Sequence, residues 1–298
     1  MNNSYFPFVI AGVMLALGLT LTIDDFKRAA TMRRPLLVVL VCQGVLLPVL
    51  CALVAEAFRL PPVLAVGLML MSATPGGTGA NLLSHLLKGD LALNLTLTGI
   101  NAVLSVFTLP LIVVLSMTWF LGHGHVIPMQ FDKFVSVFAL VLIPAAIGVA
   151  IRQRFPDLAR RLHRPVTITA AVFMVLAIAG SIAGARDTLS HHFAVLAGAV
   201  SCFCLVSLTV GYLVPRLMRL APRQATAVSL EIGMHNAMVA VGIALSPQLL
   251  NSAEMAIPAG IYGMIAPVIA LTFIALVRRL DPAFRVLVDA DSTVRQPV

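Results

Sequence analysis

Residues 71–83 read MSATPGGTGANLL. The sequence on either side is apolar enough for the middle of a membrane, yet this stretch carries a proline, three glycines, two threonines and an asparagine. Unpaired backbone groups are costly in a bilayer core, so such a break persists only where protein or a water-filled cavity surrounds it. The rest of the chain has to supply that cavity.

The chain has 298 residues, 60% hydrophobic and 11% charged, with a mean hydropathy of +1.01. Apolar runs near 20 residues recur from end to end, which predicts an all-α polytopic membrane protein. Nine spans are expected, at roughly 6–23, 36–57, 62–87, 91–120, 133–151, 165–184, 192–215, 224–247 and 254–277. The first run lacks a basic flank and a small-residue cleavage site, so it reads as a retained helix rather than a signal peptide. With the N-terminus outside, all of the 20 basic residues except Arg59, Lys133 and Arg186 fall in inner loops or the tail. That bias predicts an N-out, C-in topology. It also explains the net charge of +8 without a nucleic-acid partner. Cys42, Cys51, Cys202 and Cys204 lie in apolar spans and read as small buried hydrophobes. Trp119 and Phe120 sit where interface anchors belong, and residues 281–298 read as a polar cytoplasmic tail. No obligate protein partner is inferred.

The spans correspond in two groups: a first repeat at 6–120, an extra helix at 133–151, and a second repeat at 165–277. The break at Pro75, in broken helix 62–87, is answered by one at Gly233, in broken helix 224–247. The groups lie an odd number of spans apart, so they cross in opposite directions, as in an inverted-topology repeat. Paired discontinuous helices mark the substrate and ion sites of secondary transporters.

The second break reads LEIGMHNAMVAVG at 230–242. Glu231 is the one carboxylate expected near the middle of a span, where an ionised group costs about 2.5–3.5 kcal/mol or more. Bland alternatives are a protonated core glutamate, a bridge to another helix, or a span boundary misplaced by a turn. Asn94, Thr98, Asn101 and Ser105 recur at spacings of 4, 3 and 4 and fall in one stripe of a helix. Polar glue between packed helices is the plain reading of that stripe. With Gln43 and Asn81 it makes a set of hard oxygen donors around one negative charge, which suits Na⁺ as coupling ion rather than zinc or copper. Pro75 ends one half-helix, and Gly76, Gly77 and Gly79 allow close approach. Thr78 and Asn236 then start two half-helices whose positive ends would attract a carboxylate.

The segments ALGLTLTIDDFKR (16–28), CQGVLLP around Gln43, TPGGTGANLLSHLLKGDLALNLTLT (74–98) and EIGMHNAMVAVGIALS (231–246) resemble the bile acid:sodium symporter family. The resemblance covers nearly the whole chain. It implies panel and core domains, two crossed discontinuous helices, two Na⁺ sites, and a place in a bacterial inner membrane. By position it puts one sodium site at Asn81, Asn94, Thr98 and Glu231. The second falls at Gln43, Glu231, His235 and the backbone of Ile232 and Met234. Substrate would meet Thr78, Gly79 and Asn236. The chain departs from the family at His235, where many members have glutamine, and at Ala80, where some have serine. A His-Asn pair found in some members is missing from GMIAPVIA at 263–270.

The expected function is sodium-coupled import of a small or amphipathic organic anion, bile acid-like, pantoate-like or another carboxylate. Proton coupling through Glu231 and His235 is one alternative. A metalloid exporter of the same superfamily is another, although a thiol is expected near the broken helix there and the nearest cysteines, Cys42 and Cys51, belong to another span. Intramembrane enzymes would need paired Asp-rich motifs or HExxH, and neither is present.

Overall fold

A computed structural model describes residues 6–122, 131–184, 186–247 and 249–281. The expected tail, beyond Asp281, lies outside the described residues, as does the side chain of Thr78. Every regular element among them is helical: α1 (Phe6–Gly18), α2 (Ile23–Thr31), α3 (Arg33–Val41), α4 (Leu47–Ala57), α5 (Pro62–Ala73), α6 (Thr78–Leu86), α7 (Leu91–Leu121), α8 (Phe131–Arg154), α9 (Pro156–Gly184), α10 (Arg186–Leu217), α11 (Pro222–Gly233), α12 (Ala237–Leu245) and α13 (Ala253–Leu280). Among the described residues three helices are long and apolar enough to cross a membrane: Arg33–Ala57, His192–Leu217 and Ala253–Leu280. The two arms of α7, bent by 55° between Ser105 and Phe107, make a fourth candidate. The bend has a local cause, because the Pro110 ring crowds the carbonyl four residues earlier.

Many large apolar side chains face outward among the described residues. Leu37, Val41, Val45, Val49 and Leu53 form an exposed ridge at four-residue spacing, and Phe107, Leu111, Leu115 and Trp119 form another. Helices apolar all round belong in a bilayer. Trp119 is 72% exposed and donates its indole N–H to Glu56 Oε1 at 2.7 Å.

Two helix–break–helix units organise the interior. In each, a 12-residue helix is followed by a 9-residue one: α5 and α6, then α11 and α12. Each unit is entered in the same way. Arg59 and Arg219 take left-handed backbone, with φ of 49° and 62°. The amides of Leu60 and Leu220 reach back to Ala55 and Pro215 at 3.0 and 2.9 Å. These are Schellman closures of the preceding helix. A proline then opens the next helix, Pro62 in one unit and Pro222 in the other.

The helix from Arg33 to Ala57 is continuous but contains a π turn at Cys42–Leu46, closed by Leu47 N–H on the Cys42 carbonyl. Pro48 explains it. It has no N–H for the Gly44 carbonyl and its ring crowds that turn, so one extra residue is taken up. The hydropathy reading gave no hint of this turn.

Helix limits differ most from the expected spans in three places. The first helix ends at Gly18, not 23, because Thr22 and Asp25 bond one another and start α2: Asp25 Oδ2 accepts from Thr22 N at 2.9 Å and from Thr22 Oγ1 at 2.7 Å. Helices α9 and α10 begin earlier than expected, at Pro156 and Arg186. In packing, α1 lies against α8 and α9, while α5 lies between α7 and α13 and α11 lies along α10.

Candidate functional site

The two breaks meet. Gly76 and His235 form an isolated antiparallel bridge. Gly77 N–H donates to the Met234 carbonyl at 3.0 Å, and Asn236 N–H donates to the Pro75 carbonyl at 2.9 Å. Each break thus satisfies backbone groups of the other, which answers the cost posed by MSATPGGTGANLL.

Glu231, on the last turn of α11, is fully buried beside this bridge. Its Oε1 accepts from the Gly76 amide at 3.2 Å and from Asn101 Nδ2 at 3.0 Å. Its Oε2 accepts from Thr98 Oγ1 at 2.5 Å. A β-carbon on Gly76 would lie 2.4 Å from Oε2, so only glycine leaves room for the carboxylate here.

Three amide oxygens, on the π turn, α6 and α7, are buried without a hydrogen-bond partner: Gln43 Oε1, Asn81 Oδ1 and Asn94 Oδ1. Two of these orientations are forced by the surroundings. Gln43 Nε2 donates to the carbonyls of Ser72 and Thr74, both at 2.9 Å, and Asn94 Nδ2 donates to Ala227 O at 2.8 Å. A carbonyl only accepts, so in each amide the nitrogen faces it and the oxygen is left over. A buried acceptor without a donor is costly. An oxygen-seeking cation would offset that cost.

His235 Nδ1 lies 3.1 Å from the Thr74 carbonyl. Nδ1 therefore carries the proton, and Nε2 is a bare acceptor, also buried and without a partner. Phe203 stacks on the ring at 5.4 Å, and Tyr262 tilts against it at 5.6 Å. Tyr262 Oη donates to the Gly233 carbonyl at 2.7 Å.

The structure brings together Thr98 and Glu231, with Asn94 one turn before Thr98 on α7. It also brings Gln43 and His235 together, on the shared Thr74 carbonyl. The carbonyl of Met234, expected to face an ion, accepts the Gly77 amide. Ile232 is buried against α3 and α7, in a cluster with Val38, Cys42, Leu93 and Leu97. Asn236 is buried and caps its own helix, Oδ1 accepting from Val239 N at 3.2 Å. Gly79 lies in the first turn of α6, where an added β-carbon would sit 3.1 Å from Met234 Cε. Asn101 was legible as part of the polar stripe, but its bond to Glu231 was not foreseen. Ser105, next in that stripe, bonds the Ala102 carbonyl of its own helix instead. The ring pair around His235 had no sequence signal, since α10 and α13 arrive from elsewhere in the chain.

An all-helical, membrane-embedded scaffold with oxygen donors gathered at two interrupted helices defines a class, that of ion-coupled carriers. The chain matches the sodium bile acid symporter family over residues 7–192, more than half its length, and belongs to that family. It is 28% identical over 273 residues to the probable sodium/metabolite cotransporter BASS1, chloroplastic, of Arabidopsis thaliana, covering 90% of this chain and 65% of that protein. It is 25% identical over 244 residues to the sodium-dependent transporter YocS of Bacillus subtilis, 81% of this chain and 74% of that protein. To the ileal sodium/bile acid cotransporter of Oryctolagus cuniculus it is 24% identical over 255 residues, 84% of this chain and 72% of that protein. The family is made up of sodium-coupled transporters, not enzymes. With its apolar helices the chain is a multi-pass membrane protein.

Proposed function

We propose that this protein is a sodium-coupled symporter that carries a small organic anion into the cell across a bacterial inner membrane. The observation that carries the reading is the buried Glu231 carboxylate beside amide oxygens that have no partner. One Na⁺ would draw on Glu231, Thr98, Asn94 and Asn81. A second would draw on Glu231, Gln43 and the backbone at Ile232. His235 offers a nitrogen, a poor match for a hard ion, so its part is to hold the Thr74 carbonyl in place. Na⁺ on both sides of Glu231 neutralises a charge that is costly in the membrane, which couples ion occupancy to the arrangement of both broken helices.

The anion belongs at the start of α6 in this reading. Gly77 gives α6 no side-chain cap, whereas Asn236 caps α12. The uncapped N–H groups and positive helix end at Thr78 and Gly79 are free to meet a carboxylate. The names of the relatives suggest a metabolite or a bile acid-like compound as cargo. Equal helix lengths and paired left-handed arginines support a repeated unit, and the packing of α1, α8 and α9 on one another supports a panel set against a core. The basic inner loops support the N-out topology.

Thermal unfolding of the purified chain in detergent, with NaCl replacing choline chloride at constant ionic strength, tests the ion reading. Na⁺ should raise Tm in proportion to ln(1 + [Na⁺]/Kd), and Glu231→Gln should lose that rise. A wild-type response in Glu231→Gln would place the ion elsewhere.

A further inference from the structure

We propose that the oxygens around Glu231 continue down the seam between α6, α7 and α11 to a further cation stop formed by Ser84 and Thr226, opening at Asp90. This inference rests on the sodium reading above and adds a route to it.

Two buried hydroxyls in this seam lack the bond that others make. Other buried hydroxyls of the described helices have a carbonyl partner: Ser72 bonds Met69, Thr96 Ala92, Ser105 Ala102, Ser116 Val113 and Ser207 Phe203, each three or four residues back, while Ser229 of α11 bonds Leu208 across on α10. That back-bond is the ordinary resting place of a helical Ser or Thr. Ser84 on α6 and Thr226 on α11 are both 0% exposed and do not make it; neither hydroxyl has a partner. A third such hydroxyl among the described residues, Thr167, is on α9 and outside this seam.

The two are neighbours. A β-carbon built on Gly89 would lie 2.7 Å from Ser84 Oγ and 3.4 Å from Thr226 Cγ2. The loop that carries Gly89 is pinned over the pair: Gly89 N–H donates to the Ser84 carbonyl at 2.8 Å, and Asp90 N–H donates to the Arg223 carbonyl at 3.0 Å.

Each of the three helices carries an upper and a lower oxygen. On α11, Thr226 precedes Glu231 by five residues, about 7.5 Å along the helix and about 140° around it, so Asn94 of α7 rather than α11 links the two levels. On α6, Ser84 follows Asn81 by three, about 4.5 Å. On α7, Asn94 precedes Thr98 by four, so the two share a face; Asp90, just before the helix, is its N-cap, with Oδ1 accepting from Leu93 N at 3.0 Å. Asn94 joins the tiers, since its amide nitrogen is on the carbonyl of Ala227, the residue after Thr226. The line thus runs from the buried Glu231 carboxylate, past Asn94, to the hydroxyl pair, and ends at the partly exposed Asp90 carboxylate. These are oxygens throughout, the donors a hard monovalent cation requires.

The field at the lower stop is mixed. The negative end of α6 favours a cation there, and the positive ends of α7 and α11 oppose it. Neutral hydroxyls add no charge. The stop is therefore weaker than the site at Glu231 and serves transit. Under the N-out topology it lies on the cytoplasmic side, where an imported ion has to leave.

The test uses Na⁺ alone as probe, with the full-length protein in detergent. Tm is followed over a wide range of NaCl at constant ionic strength, with choline chloride as the replaced salt. At concentrations well above each Kd, the slope of stabilisation against ln[Na⁺] counts bound ions. The double variant Ser84→Ala/Thr226→Val should lose one ion from the limiting slope at high Na⁺ while keeping the rise at low Na⁺. Thr226→Ser keeps the oxygen and should keep the slope. If the double variant does not yield monodisperse protein, Ser84→Ala alone should shift the high-Na⁺ limb to at least fivefold higher concentration. A high-Na⁺ limb unchanged in the Ser84 and Thr226 variants, with the low-Na⁺ rise lost in Glu231→Gln, overturns the lower stop and spares the main site. An unchanged curve in Glu231→Gln overturns the sodium reading itself, and the route falls with it.

Discussion

Asn101, together with Thr98, ties α7 to the buried Glu231 carboxylate, and it yields a sharp comparison. Its Nδ2 is 3.0 Å from Glu231 Oε1, and a hydrogen bond to a charged group is worth about 1.5–3 kcal/mol. Asn101→Ala should weaken Na⁺-dependent stabilisation about tenfold or more in concentration. Ser105→Ala, one turn on, should leave it unchanged, because that hydroxyl serves its own helix. Equal responses from the two variants would remove Asn101 from the site. At Gly79 the expectation is different. A leucine there would crowd Met234 Cε and the open start of α6, so Gly79→Leu should abolish stabilisation by carboxylates found in a ligand screen while Na⁺ still raises Tm. At this scale the sequence was readable wherever burial is expensive. Glu231, Gln43, Asn81 and Asn94 declare themselves because polar groups in a bilayer demand a reason. Phe203 and Tyr262 do not, since an aromatic residue in an apolar helix is ordinary wherever it points.

Among the elements, the π turn at Cys42–Leu46 is the one with a single identifiable cause. Pro48→Ala would restore an N–H to bond the Gly44 carbonyl, and the helix could tighten to regular α geometry. Removing one residue from a turn rotates what precedes it by about 100°. Gln43 would then leave the carbonyls of Ser72 and Thr74. The expected outcome is a Tm without Na⁺ at least as high as wild type, with roughly tenfold weaker Na⁺ stabilisation, the scale of one lost contact of about 1.4 kcal/mol. Unaltered Na⁺ dependence would mean Gln43 is positioned by something else. The breaks at Pro75 and Gly233 were legible because glycine and proline punctuate a helix whatever surrounds them. The π turn was not, because Pro48 near a helix start is also an ordinary N-terminal residue, and hydropathy is blind to one extra residue in a turn. Helix α2 escaped notice for a related reason: its nine residues are too polar and too short to register as a span.

For the molecule as a whole, the tightest crossing lies between α1 and α8. A β-carbon on Gly148 would be 2.5 Å from the Leu15 carbonyl, and one on Gly18 would run into the Ala145 carbonyl. Backbone cannot yield as a side chain can, so Gly148→Ala should cost about 1–3 kcal/mol of stability by overpacking. Since the crossing touches none of the oxygen donors, the Na⁺-dependent rise in Tm should persist on the lowered baseline. A Tm equal to wild type would show that the two helices separate without cost. The overall plan was partly readable. Apolar runs and charge bias speak to a membrane protein, and the spacing of the two breaks suggests a repeated unit. How α1, α8 and α9 gather on one another was not readable, because near-uniform hydrophobicity hides which face of a helix meets which neighbour.

The bridge at the crossing has a property that bears on energy balance. Gly77 donates to Met234, and Asn236 donates to Pro75. Exchange each residue for its counterpart in the other unit, and the same pair of bonds returns. Under the proposed inverted repeat, a bond pattern indifferent to that exchange is indifferent to which side of the membrane lies open. For a carrier that alternates between its two sides, the joint at the centre is a neutral pivot, storing no preference of its own. Any bias between the two states has to be written in what the exchange does not preserve, a glycine facing a histidine, and a bare helix start facing one closed by asparagine.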